Sequence, residues 1–594
     1  MHSNRLLAAA AVAALALPAL AQDRPAAAPP VTQPAAPSPQ PVTNTVETPV
    51  ANTLGQAGEG QPVSGSLEAL VEEISESELP EAPPPVEIPD HARRNPFVVG
   101  ALDPAELGLG TNPWGSSSGA FLSTLMRRMD TPLASRWLHI AMRDALLARA
   151  RAPRNVNPVD WVAERAWLLL RLGEADAARM LVSGVDVDRF TPKMFQVALQ
   201  SALANGDPSG FCPLEEGLDA VEGRVLPLVQ AMCSALSGEP ESAAAQIDSA
   251  RRRGRIGGID LVLAEKVVGA GSDTGRAVTV EWEPVEELNS WRFGLATATG
   301  MTFPERLTEA APPRMRAWQA RAPLLSAQQR LDSAKIATGL GVFSSQSLID
   351  LYSAIYDVTD PNDLPETDAW QLRLAFFGAD QSARLEAMRR LWVSGGDSLL
   401  REASRALLAR AAARITPDRE LQSDAAQLIA SMLAAGYDRH AARWSGAVRR
   451  MDDRFADPAW AMLALAAPDP DQVDLSVGRI NGFIGRDDSP GKVRSALLVA
   501  GLAGLGRLDL RVAGRLNSRH GLGLERRSRW TRIIDGSAAL GQPASVLVLS
   551  GTGFQATTFR QVPSAHLFHA VAALRRTGQD FTARMIAAEA LSRT

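Results

Sequence analysis

The serine-rich stretch at residues 115–119 has the residue types of a hydrolase nucleophile site. It matches the spacing Gly-x-Ser-x-Gly, with Ser117 at the position of the nucleophile. That motif needs a strand before the serine, a helix after it, and an acid and a histidine within reach. Here a Pro-Trp turn precedes the serines, and a helix N-terminus capped by serine explains the segment without chemistry. We therefore predict no catalytic role for Ser117.

Two other patterns suggest ligand binding, and both are incomplete. His566 and His569 can face one way on a helix, but the sequence around them supplies no third metal ligand. Residues 485–492 resemble a phosphate-binding loop, but five residues separate the glycines instead of four. In addition, Val493 stands where serine or threonine must bind magnesium. The sequence therefore predicts no catalytic residue, no metal and no cofactor.

The N-terminal residues predict export. Arg5, the apolar stretch 6–17 and the small residues ending at Ala21 form a signal peptide over residues 1–21, cleaved before Gln22. The apolar stretch is shorter than the ~20 residues that span a bilayer. We therefore expect a periplasmic protein without a membrane span after cleavage. If the signal stays uncleaved, it would anchor the protein in the inner membrane.

Residues 22–95 predict a disordered, Pro/Ala-rich arm. They hold fourteen of the 40 prolines of the chain, mixed with alanine, threonine, glutamine and serine. Such a composition cannot bury a core and favours extended polyproline structure. This linker would give the folded part reach through the cell envelope.

The two cysteines, Cys212 and Cys233, predict a disulfide. In an exported protein an even pair is more often bridged than free. The alternatives are a redox pair or a metal site, although the pair lacks a CxxC spacing and a nearby histidine. The net charge of −5 and the pI near 5.9 argue against a nucleic-acid partner, which would call for a basic face.

From residue 96 onward, the hydrophobic periodicity predicts an all-α fold. Apolar residues recur at three- and four-residue steps, and glycine or proline interrupts them every 12 to 20 positions or so. Good examples are residues 158–172, 194–204, 228–236, 383–392, 400–415 and 565–576. Residues 357–368 are the most linker-like stretch within this region, so we predict two helical repeat regions, 96–360 and 361–594.

A repeated glycine-to-alanine step runs through the helical part. A glycine is followed five residues later by an alanine in four places: Gly173/Ala178, Gly238/Ala243, Gly436/Ala441 and Gly578/Ala583. The glycine would end one helix in a left-handed cap, and the alanine would let the next helix cross closely. Helical hairpins of this kind bury their apolar faces by stacking into a solenoid.

This step resembles the tetratricopeptide repeat, whose consensus has a glycine at the helix turn and a small residue five positions later. The chain departs from that consensus at the aromatic position four residues before the glycine, where it has Leu169, Ser234, Met432 and Leu574. The resemblance implies a TPR-like solenoid of helical hairpins. Members of this class mostly bind proteins or peptides.

The layout also resembles the superhelical, non-catalytic part of soluble lytic transglycosylases. In those enzymes the catalytic acid is a glutamate followed by serine. The Glu-Ser pairs here begin at Glu76, within the predicted arm, and at Glu241, at the start of a repeat helix. A catalytic acid needs a shielded site with a raised pKa. The resemblance therefore leaves peptidoglycan cleavage or glycan binding as the alternative function.

The twelve tryptophans bear on that alternative, because exposed aromatic rings can stack on sugars. Four fall on apolar stripes and are predicted to lie in the core: Trp161, Trp167, Trp392 and Trp444. Three lie near turns or charged runs and are candidates for a binding surface: Trp114, Trp282 and Trp530. Taken together, the sequence predicts a non-enzymatic scaffold or adaptor whose partners are cell-envelope proteins, with peptidoglycan contact as the alternative.

Overall fold

The computed structural model describes residues 89–254, 256–272, 279–393 and 396–594, which fall within one compact unit that runs to the C-terminus. The predicted signal cleavage site at Ala21 and Gln22 and most of the predicted arm lie outside the described residues. The described part is helical almost throughout, so the all-α class is confirmed. The division near residue 360 stays a prediction.

The N-terminal part combines a short antiparallel ribbon with a run of helices. The strands are β1 (Val98–Val99) and β2 (Ala150–Arg151). The helices are α1 (Gly119–Arg128), α2 (Arg136–Leu147), α3 (Pro158–Leu172), α4 (Ala175–Val182), α5 (Pro192–Ala204), α6 (Glu215–Glu222), α7 (Leu226–Leu236), α8 (Pro240–Arg253) and α9 (Ile259–Gly271). A 3₁₀ helix, Pro208–Leu214, lies between α5 and α6.

The rest of the described chain continues as helices of mostly 5 to 15 residues. The central ones are α10 (Ser290–Ala298), α11 (Glu305–Ala310), α12 (Pro313–Gln319), α13 (Ala327–Leu340), α14 (Ser345–Val358), α15 (Asp368–Phe377), α16 (Gln381–Val393) and α17 (Ser398–Ala412). The C-terminal ones are α18 (Gln422–Ala434), α19 (Asp438–Ala442), α20 (Ser445–Val448), α21 (Asp453–Ala466), α22 (Val477–Arg486), α23 (Val493–Gly504), α24 (Leu510–His520), α25 (Arg529–Ala539), α26 (Pro543–Gly553), α27 (Ser564–Arg576) and α28 (Asp580–Ser592).

The helix ends follow from local sequence chemistry. In α3 the side chain of Asn157 accepts hydrogen bonds from the first turn, and Pro158 occupies the position where no backbone donor is needed. The helix ends at Gly173, whose φ of 92° lies in the left-handed region. The backbone N–H of Glu174 then donates to the carbonyl of Leu169, which closes a Schellman turn.

The other glycines of the glycine-to-alanine step adopt the same geometry. Gly238, Gly436 and Gly578 have φ values of 81°, 79° and 84°. The alanines five residues after the four glycines are fully buried: Ala178, Ala243, Ala441 and Ala583. Each turn therefore joins two helices that cross over a buried alanine. The identity of these hairpins as TPR-like repeats stays a prediction.

The two ends of the helical unit pack against each other. Helix α2 lies against α26 and α28, and α1 also contacts α26. The backbone N–H of Ala134 donates to the carbonyl of Phe554 at 2.9 Å. The buried side chain of Gln542 donates to Ser116 at 2.9 Å and accepts from Ser117 at 2.8 Å. The array of the compact unit is therefore closed, with its first helices joined to its last.

A buried ionic cluster holds this closure. The guanidinium of Arg136, at the start of α2, donates to the carbonyls of Thr338 at 2.8 Å and Ala434 at 2.6 Å, at the C-terminal ends of α13 and α18. The backbone N–H of Arg136 in turn donates to the carboxylate of Glu589 in α28, at 2.8 Å. Because cations favour helix C-termini and anions favour N-termini, these contacts stabilise four helices at one point.

The predicted disulfide between Cys212 and Cys233 is present, with a Cα–Cα separation of 5.5 Å. It joins the 3₁₀ helix Pro208–Leu214 to α7. Among the described helices, none combines the length and the apolar character needed to cross a membrane. Near the N-terminus of the described residues, Arg93 donates to the carboxylate of Asp188 at 2.7 Å. The last residues of the predicted arm therefore contact the helical unit.

Candidate functional site

A cavity of about 640 Å³ opens between α14, α15, the end of α17 and the start of α19. We call it the aromatic cavity because aromatic and basic side chains dominate its lining: Tyr352, Tyr356, Phe376, Phe377 and Tyr437, with Arg373, Arg410, Arg414 and His440. Asp357 is the one carboxylate among the described lining residues. A cavity of this volume is in the range that holds a small ligand or a few side chains of a partner.

The aromatic cavity gathers all three tyrosines of the chain. Tyr352 and Tyr356 are one helical turn apart on α14, so they share a face. Tyr437 follows the left-handed turn at Gly436 and reaches the cavity from the sequence before α19. Two segments about 80 residues apart therefore bring their phenol rings to one place.

The three rings lie at different depths. Tyr352 is 3% exposed and forms part of the floor. Burial, together with the neighbouring carboxylate of Asp368, raises the pKa of the Tyr352 phenol, so it stays protonated. Tyr356 is half-buried and stacks on Trp370, with ring centroids 6.3 Å apart and planes inclined by 5°. The cavity therefore has a rigid apolar floor and partly open aromatic walls.

Three arginines surround the rings. The guanidinium of Arg373 lies 5.1 Å from the Tyr356 ring centroid and 5.9 Å from that of Phe377. Arg414 lies 6.0 Å from the Phe377 ring and donates to the carbonyl of Phe376 at 3.0 Å. Arg410 donates to the side chain of Gln346 at 2.7 Å. Cation–π contacts of this kind orient a guanidinium and keep its edge available.

The arginines of the aromatic cavity carry no ion pair with any described residue. In the part of the chain that the structure describes, none of Arg373, Arg410 and Arg414 is paired with a carboxylate. By contrast, Arg389 on the neighbouring α16 makes a bidentate pair with Asp424, at 2.9 and 2.6 Å. With three arginines against one aspartate, the aromatic cavity has a positive potential that favours an anionic ligand.

A second, polar cleft of about 570 Å³ lies on the other side of Tyr352. There Arg316 donates to Ser333 at 3.0 Å, and Ser333 donates to Gln319 at 2.6 Å. Lys335 is within 3.7 Å of two aspartates. The described lining of this cleft holds four carboxylates against two basic side chains, so the cleft lacks the positive potential of the aromatic cavity.

The residues that the sequence singled out lie elsewhere. Ser117 bonds to Gln542 and Ser545, at 2.8 and 2.9 Å, in the contact that closes the array. His566 contacts the carbonyl of Gly553 at 3.1 Å, and His569 contacts Asp535 at 2.9 Å. The amine of Lys492 donates to the carbonyls of Ile484 and Asp487, at 2.7 and 3.3 Å. Each of these groups therefore has a protein partner.

Buried glutamates also have partners within the fold. Glu164 binds Arg127 at 2.6 Å and Lys193 at 2.9 Å. Glu174 lies 3.0 Å from the ring of His139, and both side chains are buried. Glu241, of the second Glu-Ser pair, is exposed in the first turn of α8. The first pair, at Glu76, lies outside the described residues.

The tryptophan hypothesis was partly wrong. Trp114, one of the three candidates for a binding surface, is 1% exposed and packs edge-on against Trp161 with centroids 4.9 Å apart. It is buried because the closure of the array covers residues 113–118. Trp282 and Trp530 are half-buried, and neither lines the aromatic cavity. The aromatic residues of the site are tyrosines and phenylalanines instead, and the sequence signal for them was the same-face pair Tyr352/Tyr356.

Compared with known proteins, the chain matches no family model, no curated protein and no solved structure. Its class is therefore defined by its own fold, an all-α protein of helical hairpins closed end to end. The site is defined by its own lining, an aromatic and cationic cavity.

Proposed function

We propose that this protein is an exported adaptor or scaffold of the bacterial cell envelope, and that it binds partner proteins through the aromatic cavity. The observation that supports this proposal is the meeting of all three tyrosines with three arginines that have no carboxylate partner in the described part of the chain. Tyrosine and arginine are the residue types that dominate binding hot spots, along with tryptophan.

The lining combines what a protein-binding site needs. The rings of Phe376 and Tyr356 offer apolar area to a partner's side chain, and the phenol and guanidinium groups offer directed donors. Phe377 is 72% exposed at the edge of the cavity. A docked partner would cover this ring and remove its apolar area from water.

The compartment is supported by two features of the sequence and the fold. Residues 1–21 have the pattern of a signal peptide, which sends a protein out of the cytoplasm. The Cys212–Cys233 disulfide is of the kind that persists in an oxidising compartment such as the periplasm. The proline-rich residues 22–88 would give the adaptor reach between envelope layers.

The test is a crosslinking pull-down from intact cells, with tagged full-length protein that keeps its export signal. We expect defined envelope proteins to be recovered with the wild type and lost with the double variant Arg373→Gln, Arg414→Gln. The matched control is Arg515→Gln, because Arg515 is exposed on α24 and does not line the aromatic cavity. Recovery of the same proteins with the double variant would contradict the proposal.

A glycan-binding role is the second candidate, and the exposed ring of Phe377 is the observation that favours it. Exposed aromatic rings can stack on sugar rings, and the arginines could pair with the carboxylates of cell-wall muropeptides. Sedimentation with purified sacculi tests this role. If it holds, the wild type should cosediment and the variant Phe377→Ala should stay in the supernatant.

A further inference from the structure

Resting on the proposed function, we infer that the aromatic cavity selects an acidic, proline-containing segment of a partner protein, bound in an extended polyproline conformation. Three features carry this assignment of ligand chemistry: the unpaired charge, the geometry of the stacked guanidinium groups, and the free phenol hydroxyls.

The charge of the lining requires acidic groups in the ligand. Arg373, Arg410 and Arg414 are exposed at the rim, and Asp357 is the one acidic side chain among the described lining residues. A basic segment would meet like charge there and would leave the arginines unpaired. Glutamate or aspartate side chains complete these pairs, and they also steer the encounter of the two proteins.

The stacked arginines are already oriented for carboxylates. A guanidinium uses its face to stack on a ring and its edge to donate hydrogen bonds, so both contacts can exist together. Arg373 stacks on Tyr356 at 5.1 Å, which restricts its motion before a ligand arrives. The entropy cost of pairing with a carboxylate is therefore lower than for a free arginine side chain.

The aromatic walls suit proline. Polyproline segments dock into aromatic-lined grooves, and their backbone carbonyls remain free to accept hydrogen bonds. The hydroxyls of Tyr356 and Tyr437 have no hydrogen-bond partner among the described residues, so they are available as donors to those carbonyls. A segment of this kind is also pre-extended, so it loses little entropy when it binds.

The experiment measures fluorescence anisotropy with labelled synthetic peptides and purified full-length protein. The probe is a Glu-Pro-Leu-Pro repeat peptide, and matched peptides carry glutamine or lysine in place of glutamate. We expect the glutamate peptide to bind about tenfold more tightly than the glutamine peptide, and the lysine peptide not to bind. We also expect the affinity for the glutamate peptide to fall as salt is raised.

Two protein variants locate the binding. Arg373→Gln should weaken binding of the glutamate peptide about fivefold, because one charge-assisted contact is lost. Tyr356→Phe keeps the ring and removes the hydroxyl, and it should weaken binding of the glutamate and glutamine peptides alike, by about threefold. Arg515→Gln should leave all affinities unchanged. Circular dichroism of each variant confirms that it is folded.

Four outcomes would overturn the inference, and the first two of them leave the proposed function intact. Equal binding of the glutamate and glutamine peptides would show that charge is not selected. An equal loss in Arg515→Gln would show that binding is diffuse. Preferential binding of muropeptides would assign the cavity to a glycan, and concentration-dependent self-association lost in Arg373→Gln would assign it to a second copy of this chain. If partner capture in cells still depends on the cavity, the proposed function stands in each of the first two cases.

Discussion

Glu589 illustrates how single buried residues hold this molecule together. Its carboxylate accepts the hydroxyl of Ser135 at 2.5 Å and the backbone N–H groups of Arg136 and Trp137 at 2.8 and 3.3 Å. Arg593, the residue that follows the last residue of α28, donates to the same carboxylate at 2.8 Å. The last helix thus supplies the N-terminal cap of α2, about 450 residues earlier in the chain.

The variant Glu589→Ala should therefore be strongly destabilised. It removes the cap of α2 and leaves Arg593 without its carboxylate in a buried site, which costs about 3–5 kcal/mol of unfolding free energy. Urea denaturation followed by circular dichroism measures this. The control is Glu386→Ala, because Glu386 and its partner Arg390 are both exposed, and its effect should stay within about 0.5 kcal/mol. Equal effects in the two variants would refute the capping role.

His566 should make stability depend on pH. Burial lowers its pKa below the ordinary value of 6.5, while the hydrogen bond with the Gly553 carbonyl opposes this shift. The unfolded chain therefore binds a proton at a higher pH than the folded one does. The neutral His566 ring therefore makes its full contribution to the free energy of unfolding above pH 6.5, and this contribution is lost as the pH falls below that value.

The measurement is urea unfolding between pH 7.5 and 5.5. The variant His566→Asn should show a shallower decline of the unfolding free energy than the wild type. His91→Asn, at an exposed residue, should keep the wild-type decline. An unchanged slope in His566→Asn would contradict the prediction.

At the scale of the element, each of the six helical ranges named from the sequence overlaps a helix of the structure. The predicted helix 158–172 coincides with α3, because asparagine, proline and glycine mark both of its ends. Residues 545–549 were ambiguous by contrast. They lie in α26 and are buried on every side, so their apolar run has no helical period. Periodicity identifies a helix only where one face meets water.

A substitution at Gly173 tests whether the left-handed turn between α3 and α4 requires glycine. The Gly173 φ of 92° is unfavourable for any other residue, and an added Cβ would lie 2.8 Å from the Cβ of Ala317. Gly173→Ala should therefore destabilise the protein by about 2 kcal/mol. Gly514→Ala is the matched control, because Gly514 lies inside α24 with open space around it, and it should be stabilising by about 0.5–1 kcal/mol. Opposite signs in thermal denaturation confirm the account, and equal signs contradict it.

Removal of the disulfide tests how much the link between the Pro208–Leu214 segment and α7 contributes to stability. The double variant Cys212→Ser, Cys233→Ser should lose roughly 3 kcal/mol, because the unfolded chain regains the entropy of the open loop. Thiol labelling of the wild type should fail until reductant is added. Immediate labelling of both cysteines in protein from the periplasm would contradict the bridge.

At the scale of the whole molecule, the sequence did not predict which elements meet. The aromatic cavity joins residues of α14 and α15 to Tyr437 and His440, and the closure joins α2 to α28. Helical periodicity carries no information about such distant pairs. The sequence alone did not identify the site, because Tyr352 and Tyr356 share a helix face but Tyr437 lies far along the chain. Of the tryptophan candidates, Trp114 is buried by the closure.

The closure predicts that distant helices open together. Because Glu589 caps α2 and Arg136 binds the ends of α13 and α18, none of these helices can unfold alone without breaking hydrogen bonds to a buried charged side chain. Hydrogen exchange measured by mass spectrometry should give α2 and α28 the same opening free energy. If α28 exchanges far more readily than α2, the closed arrangement does not act as one cooperative unit.

The central claim is that the aromatic cavity binds a partner protein in the envelope. Photocrosslinking in living cells tests it most directly, with the crosslinking amino acid benzoylphenylalanine placed at Phe377. Leu510, which is 63% exposed on α24 against 72% for Phe377, is the matched control position. We predict a discrete protein adduct from position 377 that is absent from position 510 and is lost when Arg373→Gln is added. No adduct from position 377, or the same adducts from both positions, would contradict the claim.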